Sequence, residues 1–131
     1  MKAIITAHYP PDEVRAILAF AARSVGLKHA GVVVKVKNSQ RGIVRGMAYH
    51  GARLVTIGIG KPEDFPVKMW RCRQDFVVSD WREALVWVAA HEFVHTRDML
   101  AGVKCSETTA NGDAFLTLLE WRTGAAMEVT A

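Results

Sequence analysis

The chain has 131 residues, half of them hydrophobic, and carries a formal net charge of +4. This length and hydrophobic content are typical of one globular domain, so we expect a single domain over residues 1–131. Two cysteines, Cys72 and Cys105, are too few for a disulfide scaffold. The apolar runs are too short for a membrane span, and the start, MKAIITAHYPPDEV, lacks the pattern of a secretory signal. We therefore expect a soluble, cytoplasmic protein with no membrane partner.

The positive charge is spread along the chain and is not gathered in one tract. Recognition of nucleic acid needs a basic face or stripe, and a scattered charge favours an ordinary solvated surface. Nucleic acid is therefore not the favoured partner. The sequence makes no prediction of the oligomeric state.

The first half of the chain predicts one helix followed by strands. A helix is expected over residues 11–25, where Pro11 suits the first turn and Gly26 suits the end. Three runs rich in β-branched residues follow, namely GVVVKVKN, IVRGMAYH and RLVTIGIG, with short turns between them. They predict an antiparallel meander of about three strands.

The second half predicts a loop and two helices. Residues 61–78 contain two prolines and mixed charges, which indicates a long loop with at most one short strand, able to cover a site. A buried helix is expected over residues 80–101, with Asp80 and Glu83 at its start. A third helix is expected over about residues 106–122, with Ser106 as its N-cap.

The second helix carries the segment HEFVH. His91 and His95 lie four residues apart, so both imidazoles share one face of the helix and can reach one ion. Neutral histidines suit zinc, and zinc lowers the pKa of its bound water toward about 7. Glu92 would take the proton of this water and pass it to the leaving amine. The alternative is that these three side chains simply face solvent.

A catalytic zinc site usually has a third protein ligand, and Asp98, Glu107 and Asp113 are the candidates. Asp98 and His91 are about 10 Å apart along one helix axis, so Asp98 is better suited to orienting a ligand or to an ordinary ion pair. Glu107 opens the third helix, and Asn111 one turn later could bond the free nitrogen of a zinc-bound histidine. Asp113 would lie nearer the level of His95 in an antiparallel hairpin and stays open as an alternative ligand.

HExxH followed by a helix with ETTANGDAF resembles the gluzincin metallopeptidases, most closely the ImmA/IrrE-type minimal metallopeptidases, whose pattern is ExxANxFA. The resemblance covers residues 81–122 in detail and residues 11–60 only as an order of elements. It implies that His91, His95 and Glu107 bind zinc and that Glu92 is the base. Asp113 stands where that family tends to have phenylalanine, and only eleven residues separate His95 from Glu107.

These patterns predict an α+β minimal zincin-like domain: an N-terminal helix, a sheet of about three antiparallel strands, the HExxH helix and a C-terminal helix with the third ligand. The predicted function is zinc-dependent hydrolysis of a protein or peptide substrate. The alternative is a non-catalytic metal-binding module that regulates or binds a protein.

Two features of the predicted enzyme stay open in the sequence. The strand at residues 53–59 is the candidate edge strand for holding the substrate backbone. The group that stabilises the oxyanion is not singled out by any spacing. The candidates are Tyr49, His50, Arg97 and Arg122.

Overall fold

The computed structural model describes residues 1–28, 31–40, 42–71 and 74–130, without the side chains of Gln74 and residues 125–130. Cys72 lies outside these residues, and Cys105 is a free thiol. The described part of the chain has an α+β fold with three helices. Its elements in chain order are β1 (Lys2–Ile5), α1 (Pro11–Val25), β2 (Val33–Asn38), β3 (Val44–Ala48), β4 (Leu54–Ile59), a 3₁₀ turn (Pro62–Asp64), β5 (Val67–Arg71), β6 (Gln74–Val78), α2 (Trp81–Leu100) and α3 (Glu107–Thr130).

Helix α1 confirms the prediction for residues 11–25. Its apolar stripe is buried, with Val14, Ile17 and Leu18 almost fully covered. The helix ends where Gly26 adopts a left-handed conformation with a φ of 76°, and the Gly26 N–H caps the last turn. Local sequence therefore determined both ends of this helix.

The main sheet differs from the predicted three-stranded antiparallel meander. It has four strands in the order β1-β2-β4-β3, and only β3 and β4 pair antiparallel. Strand β1, which was not predicted, pairs parallel with β2, because α1 crosses over between them. Strand β4 inserts between β2 and β3 and pairs parallel with β2. The prediction was wrong because β-rich runs identify extended segments but not their partners.

The position of β4 also overturns the prediction of an edge strand at residues 53–59. Strand β4 lies inside the sheet, and Val55, Ile57 and Ile59 on it are fully buried. The edge strand on that side is β3. Any peptide that extends this side of the sheet would therefore lie beside residues 44–48.

The prediction of a long loop at residues 61–78 is wrong as well. Strands β5 and β6 form an antiparallel hairpin, with Val67 opposite Val78. The Phe76 ring packs against Trp87 and Phe115, which fastens the hairpin to helices α2 and α3. The hairpin therefore has an apolar side against the helices, a relation that its mixed composition did not indicate.

Helix α2 passes through the middle of the fold, against α1, α3, β3 and β4. Its start is as predicted, because the Asp80 carboxylate accepts a hydrogen bond of 2.9 Å from the Glu83 N–H. Helix α3 runs further than the predicted residue 122, and the Ser106 hydroxyl accepts from the Thr109 N–H at its start. No helix within the described ranges is long and apolar enough to cross a membrane.

Candidate metal centre

The two histidines of HEFVH face the same space at the C-terminal half of α2. Their ring centroids are 5.0 Å apart, as expected for residues one turn apart on a helix. The Nδ1 atom of His91 is buried, and its Nε2 atom faces the carboxylates of Glu92 and Glu107. Burial lowers the pKa of His91, so the imidazole favours its neutral form, which is the form that binds metals.

Glu107 reaches both histidines from the start of α3. The chain reverses between α2 and α3 at Gly102, whose φ of 70° is left-handed. Glu107 Oε1 lies 2.7 Å from His95 Nε2, and its Oε2 lies 3.3 Å from His91 Nε2. The carboxylate of Glu107, which belongs to a second helix, therefore contacts the Nε2 atom of each imidazole.

Ligand atoms of His91, Glu92 and His95 all lie within 4.8 Å of one another, so this cluster could hold a metal ion. The Glu107 carboxylate borders it through both imidazoles. Two imidazole nitrogens with carboxylate oxygens suit zinc and neighbouring divalent transition metals. The residues present therefore fit the metal that the sequence predicts.

The Glu92 carboxylate is enclosed between α2 and β3, with only 5% of the residue exposed. Burial, together with the negative charge of Glu107, raises its pKa to about 7, and a hydrogen bond with the Ala48 backbone partly opposes this rise. A Cβ atom on Gly46 would lie 2.7 Å from Glu92 Cγ and 2.7 Å from Val88 Cγ2. Only glycine therefore lets β3 pass this close to the glutamate.

Some backbone N–H and C=O groups of strand β3 are not used in pairing with β4 and lie on the side of this glutamate. The Tyr49 N–H bonds to Leu54 O, and the Gly60 N–H bonds to Ile43 O, so alternate residues between them also face β4. The backbone groups of Val44, Gly46 and Ala48 then point away from β4, which agrees with the bond between Ala48 and Glu92. This edge of the sheet borders the cluster of His91, Glu92 and His95.

Asn111 lies where the sequence placed it, one turn after Glu107 on α3. It is buried, and the interaction of its side chain with His91 acts to raise the pKa of that histidine. A side chain in this position can hold the orientation of the imidazole ring. Small residues flank it, since Ala110 and Ala114 are fully buried against the core.

The structure does not bring Asp113 or Asp98 to the imidazole nitrogens. Asp113 lies six residues after Glu107, about 240° around the helix. Its carboxylate is 3.4 Å from Arg97 Nη1, in a separate cleft. The alternative ligand set with Asp113 therefore lacks support in this geometry.

Asp98 likewise bonds to other groups than the histidines. Its carboxylate accepts a 2.9 Å hydrogen bond from Arg97, and it lies close to the Cys105 thiol, whose hydrogen bond goes to the Ser106 carbonyl. Arg97 and, to a smaller extent, the nearby thiol lower the pKa of Asp98, and burial raises the pKa of the thiol to about 11. Asp98 therefore stabilises the turn between α2 and α3.

Two neighbouring pockets lie along the outer edge of β3 and share Gly46 and Glu92 in their linings. We call the two pockets together the cleft, and each of them a lobe. The larger lobe, about 490 Å³, is lined by His50, His95, Lys104 and Glu107, with Met47, Met99 and Val103 as its apolar wall. The smaller lobe, about 260 Å³, lies toward Trp87 and His91. The buried glutamate thus sits where the two lobes meet.

Of the four candidates for stabilising an oxyanion, His50 alone lines this cleft. Tyr49 lines a pocket on the other side of β3. Arg97 is bound to Asp98, and Arg122 donates two hydrogen bonds to Glu83. These two guanidinium groups are already used in packing the helices.

Arg71 is a cleft residue that the sequence did not single out. Its guanidinium carbon is 5.7 Å from the centroid of the Trp87 ring, and that ring stacks on His91. The charge of Arg71 acts to lower the pKa of His91. Only the β5–β6 hairpin brings this residue to the cleft, so no local pattern could have identified it.

Comparisons of this chain with models of known protein families, with curated proteins and with solved structures found no match. The resemblance to the gluzincins therefore stays a prediction drawn from the segments HEFVH and ETTANGDAF.

Proposed function

We propose that this chain is a zinc-dependent peptidase in which His91, His95 and Glu107 hold the metal. The observation that carries the proposal is the single carboxylate of Glu107, which contacts Nε2 of both histidines. Two histidines and a glutamate are a ligand set of known catalytic zinc sites. The buried Glu92 beside them supplies a second, differently placed carboxylate.

Zinc held by these residues would supply a Lewis acid that polarises a carbonyl and acidifies water. Glu92 is the chain's own proton carrier in this scheme. A general base works best when its pKa is close to the working pH, and in the metal-free protein burial already raises the pKa of Glu92 from its usual value to about 7. Its carboxylate can accept a proton from water and then give it to the leaving amine.

The substrate in this proposal is an extended stretch of a protein or peptide. The outward backbone groups of Val44, Gly46 and Ala48 offer hydrogen bonds to an added strand. One backbone group of Ala48 interacts with the Glu92 carboxylate, and that group is therefore not available to an added strand. Since Gly46 has no side chain, a peptide backbone can approach this edge next to the glutamate.

Metal content tests the ligand set. We expect purified wild type to carry about one zinc ion per chain by mass spectrometry, and His95→Ala and Glu107→Ala to lose it. Asp113→Ala is the matched control, because it removes a carboxylate from the same helix and should retain the metal. A wild-type protein that takes up no zinc when supplied with it would refute the proposal. Loss of zinc in Asp113→Ala but not in Glu107→Ala would refute the ligand assignment.

Hydrolysis separates this enzyme from a non-catalytic metal-binding module. Glu92→Gln should keep the zinc but lower the cleavage rate of a peptide mixture by about 10²- to 10⁴-fold. Cleavage is followed by mass spectrometry of the products. If zinc-loaded wild type cleaves none of the peptides, the binding-module alternative is favoured.

A further inference from the structure

We propose that the segment bound in this cleft is acidic, with carboxylates on both sides of an apolar centre. One carboxylate would bind Arg71 in the smaller lobe, and another would face Lys104 in the larger lobe. This inference rests on the proposed function, since it names the substrate class of the same site.

Arg71 has the properties of a ligand-binding arginine. The side chain is exposed, and its Nη1 donates to the Trp70 carbonyl at 2.7 Å. Within the described parts of the chain it makes no ion pair, whereas Arg82, Arg97 and Arg122 each bond to a carboxylate. Contact with the Trp87 ring restrains the guanidinium while leaving donors for a bidentate carboxylate.

The larger lobe combines a positively charged side chain, Lys104, with an apolar wall. Lys104 lines this lobe, is exposed, and forms no ion pair with any described residue. Met47 and Val103 are more than half exposed there, at 53% and 55%. An apolar side chain of the substrate can cover them, and a neighbouring carboxylate would then meet the lysine.

The charges of the cleft place the carboxylates at its ends. The acidic groups among the residues lining the two lobes are Glu92, which both lobes share, and Glu107, which lines the larger lobe. In the metal-free site these two groups would repel a carboxylate placed between the lobes, whereas Arg71 and Lys104 attract one on either side. Arg45, which forms no ion pair with the residues that the structure describes, also lines the smaller lobe. A net charge of +4 favours the approach of an acidic chain from solution.

Binding of two fluorescent peptides tests this inference without requiring cleavage. One has a central pair of leucines with two glutamates on each side, and the other replaces every glutamate by glutamine. We expect Glu92→Gln protein, with and without added zinc, to bind the acidic peptide about 10- to 100-fold more tightly by fluorescence anisotropy. Added salt should reduce this preference.

Single substitutions locate the preference. Arg71→Gln and Lys104→Gln, each combined with Glu92→Gln, should each bring the ratio of the two affinities closer to one. Lys68→Gln is the matched control, because Lys68 lies on the same strand as Arg71 but pairs with Asp75 outside the cleft. The control should keep the full preference.

The outcomes separate this inference from the proposed function. Equal binding of the two peptides, or a preference that Arg71→Gln and Lys104→Gln leave intact, overturns the acidic substrate even if the wild type is a peptidase. A preference that depends on Arg71 supports the acidic ligand even if no peptide is cleaved. In the latter case the peptidase proposal alone would fail.

Discussion

The buried carboxylate of Glu92 gives a prediction about stability that does not require any substrate. Glu92→Gln keeps the size of the side chain and an oxygen acceptor but removes the ionisable group. In the metal-free protein the pKa of Glu92 is raised from 4.5 to about 7, mainly by burial. The folded state therefore holds this proton more tightly than the unfolded state.

The sign of the effect follows from this difference. Between about pH 4.5 and pH 7 the folded state keeps a proton that the unfolded state has lost, so the free energy of unfolding falls as pH rises. Above pH 7 the loss is complete. A difference of about 2.5 pKa units corresponds to about 3 kcal/mol. Glutamine lacks this loss, so the variant should become progressively more stable than wild type.

Urea unfolding followed by tryptophan fluorescence, with a chelator present, measures this difference. From pH 5 to pH 8 the stability of Glu92→Gln relative to wild type should increase by about 2 to 3 kcal/mol. The lowered pKa of His91 makes a contribution of the opposite sign to the pH dependence, because the free energy of unfolding decreases as pH falls and that histidine becomes protonated. It is present in both proteins and largely cancels. A difference that stays constant with pH would refute the argument that burial penalises the charged carboxylate.

Two further predictions concern the neighbours of this glutamate. Gly46→Ala should lower the free energy of unfolding by about 1–3 kcal/mol and reduce peptide cleavage, because the added Cβ would lie 2.7 Å from Glu92 Cγ and from Val88 Cγ2. If Gly46→Ala unfolds at the same urea midpoint as wild type, the close contact of β3 with Glu92 and Val88 would be contradicted. Asn111→Ala should weaken zinc binding about 10- to 100-fold, since the variant loses the interaction that orients His91. Competition with a fluorescent chelator measures the affinity, and an unchanged value would contradict a role for Asn111 at the metal.

The features that depend on residues close together in the chain could be predicted. The end of α1 at Gly26 and the start of α2 at Asp80 follow from local hydrogen bonds and backbone preferences. The common face of His91 and His95 follows from the helical repeat alone. Once a helix was expected, no tertiary contact was needed to place these two rings together.

Other features depended on surfaces that meet only in the folded chain. Which strand lies at the edge was decided by the insertion of β4 between β2 and β3. The place of Arg71 was decided by the packing of the β5–β6 hairpin on α2 and α3. The path of the chain after Gly102 determined the position along α2 at which Glu107 contacts the two histidines. Helical repeats and caps depend on neighbours along the sequence, whereas strand partners and hairpin docking depend on which distant apolar surfaces bury each other.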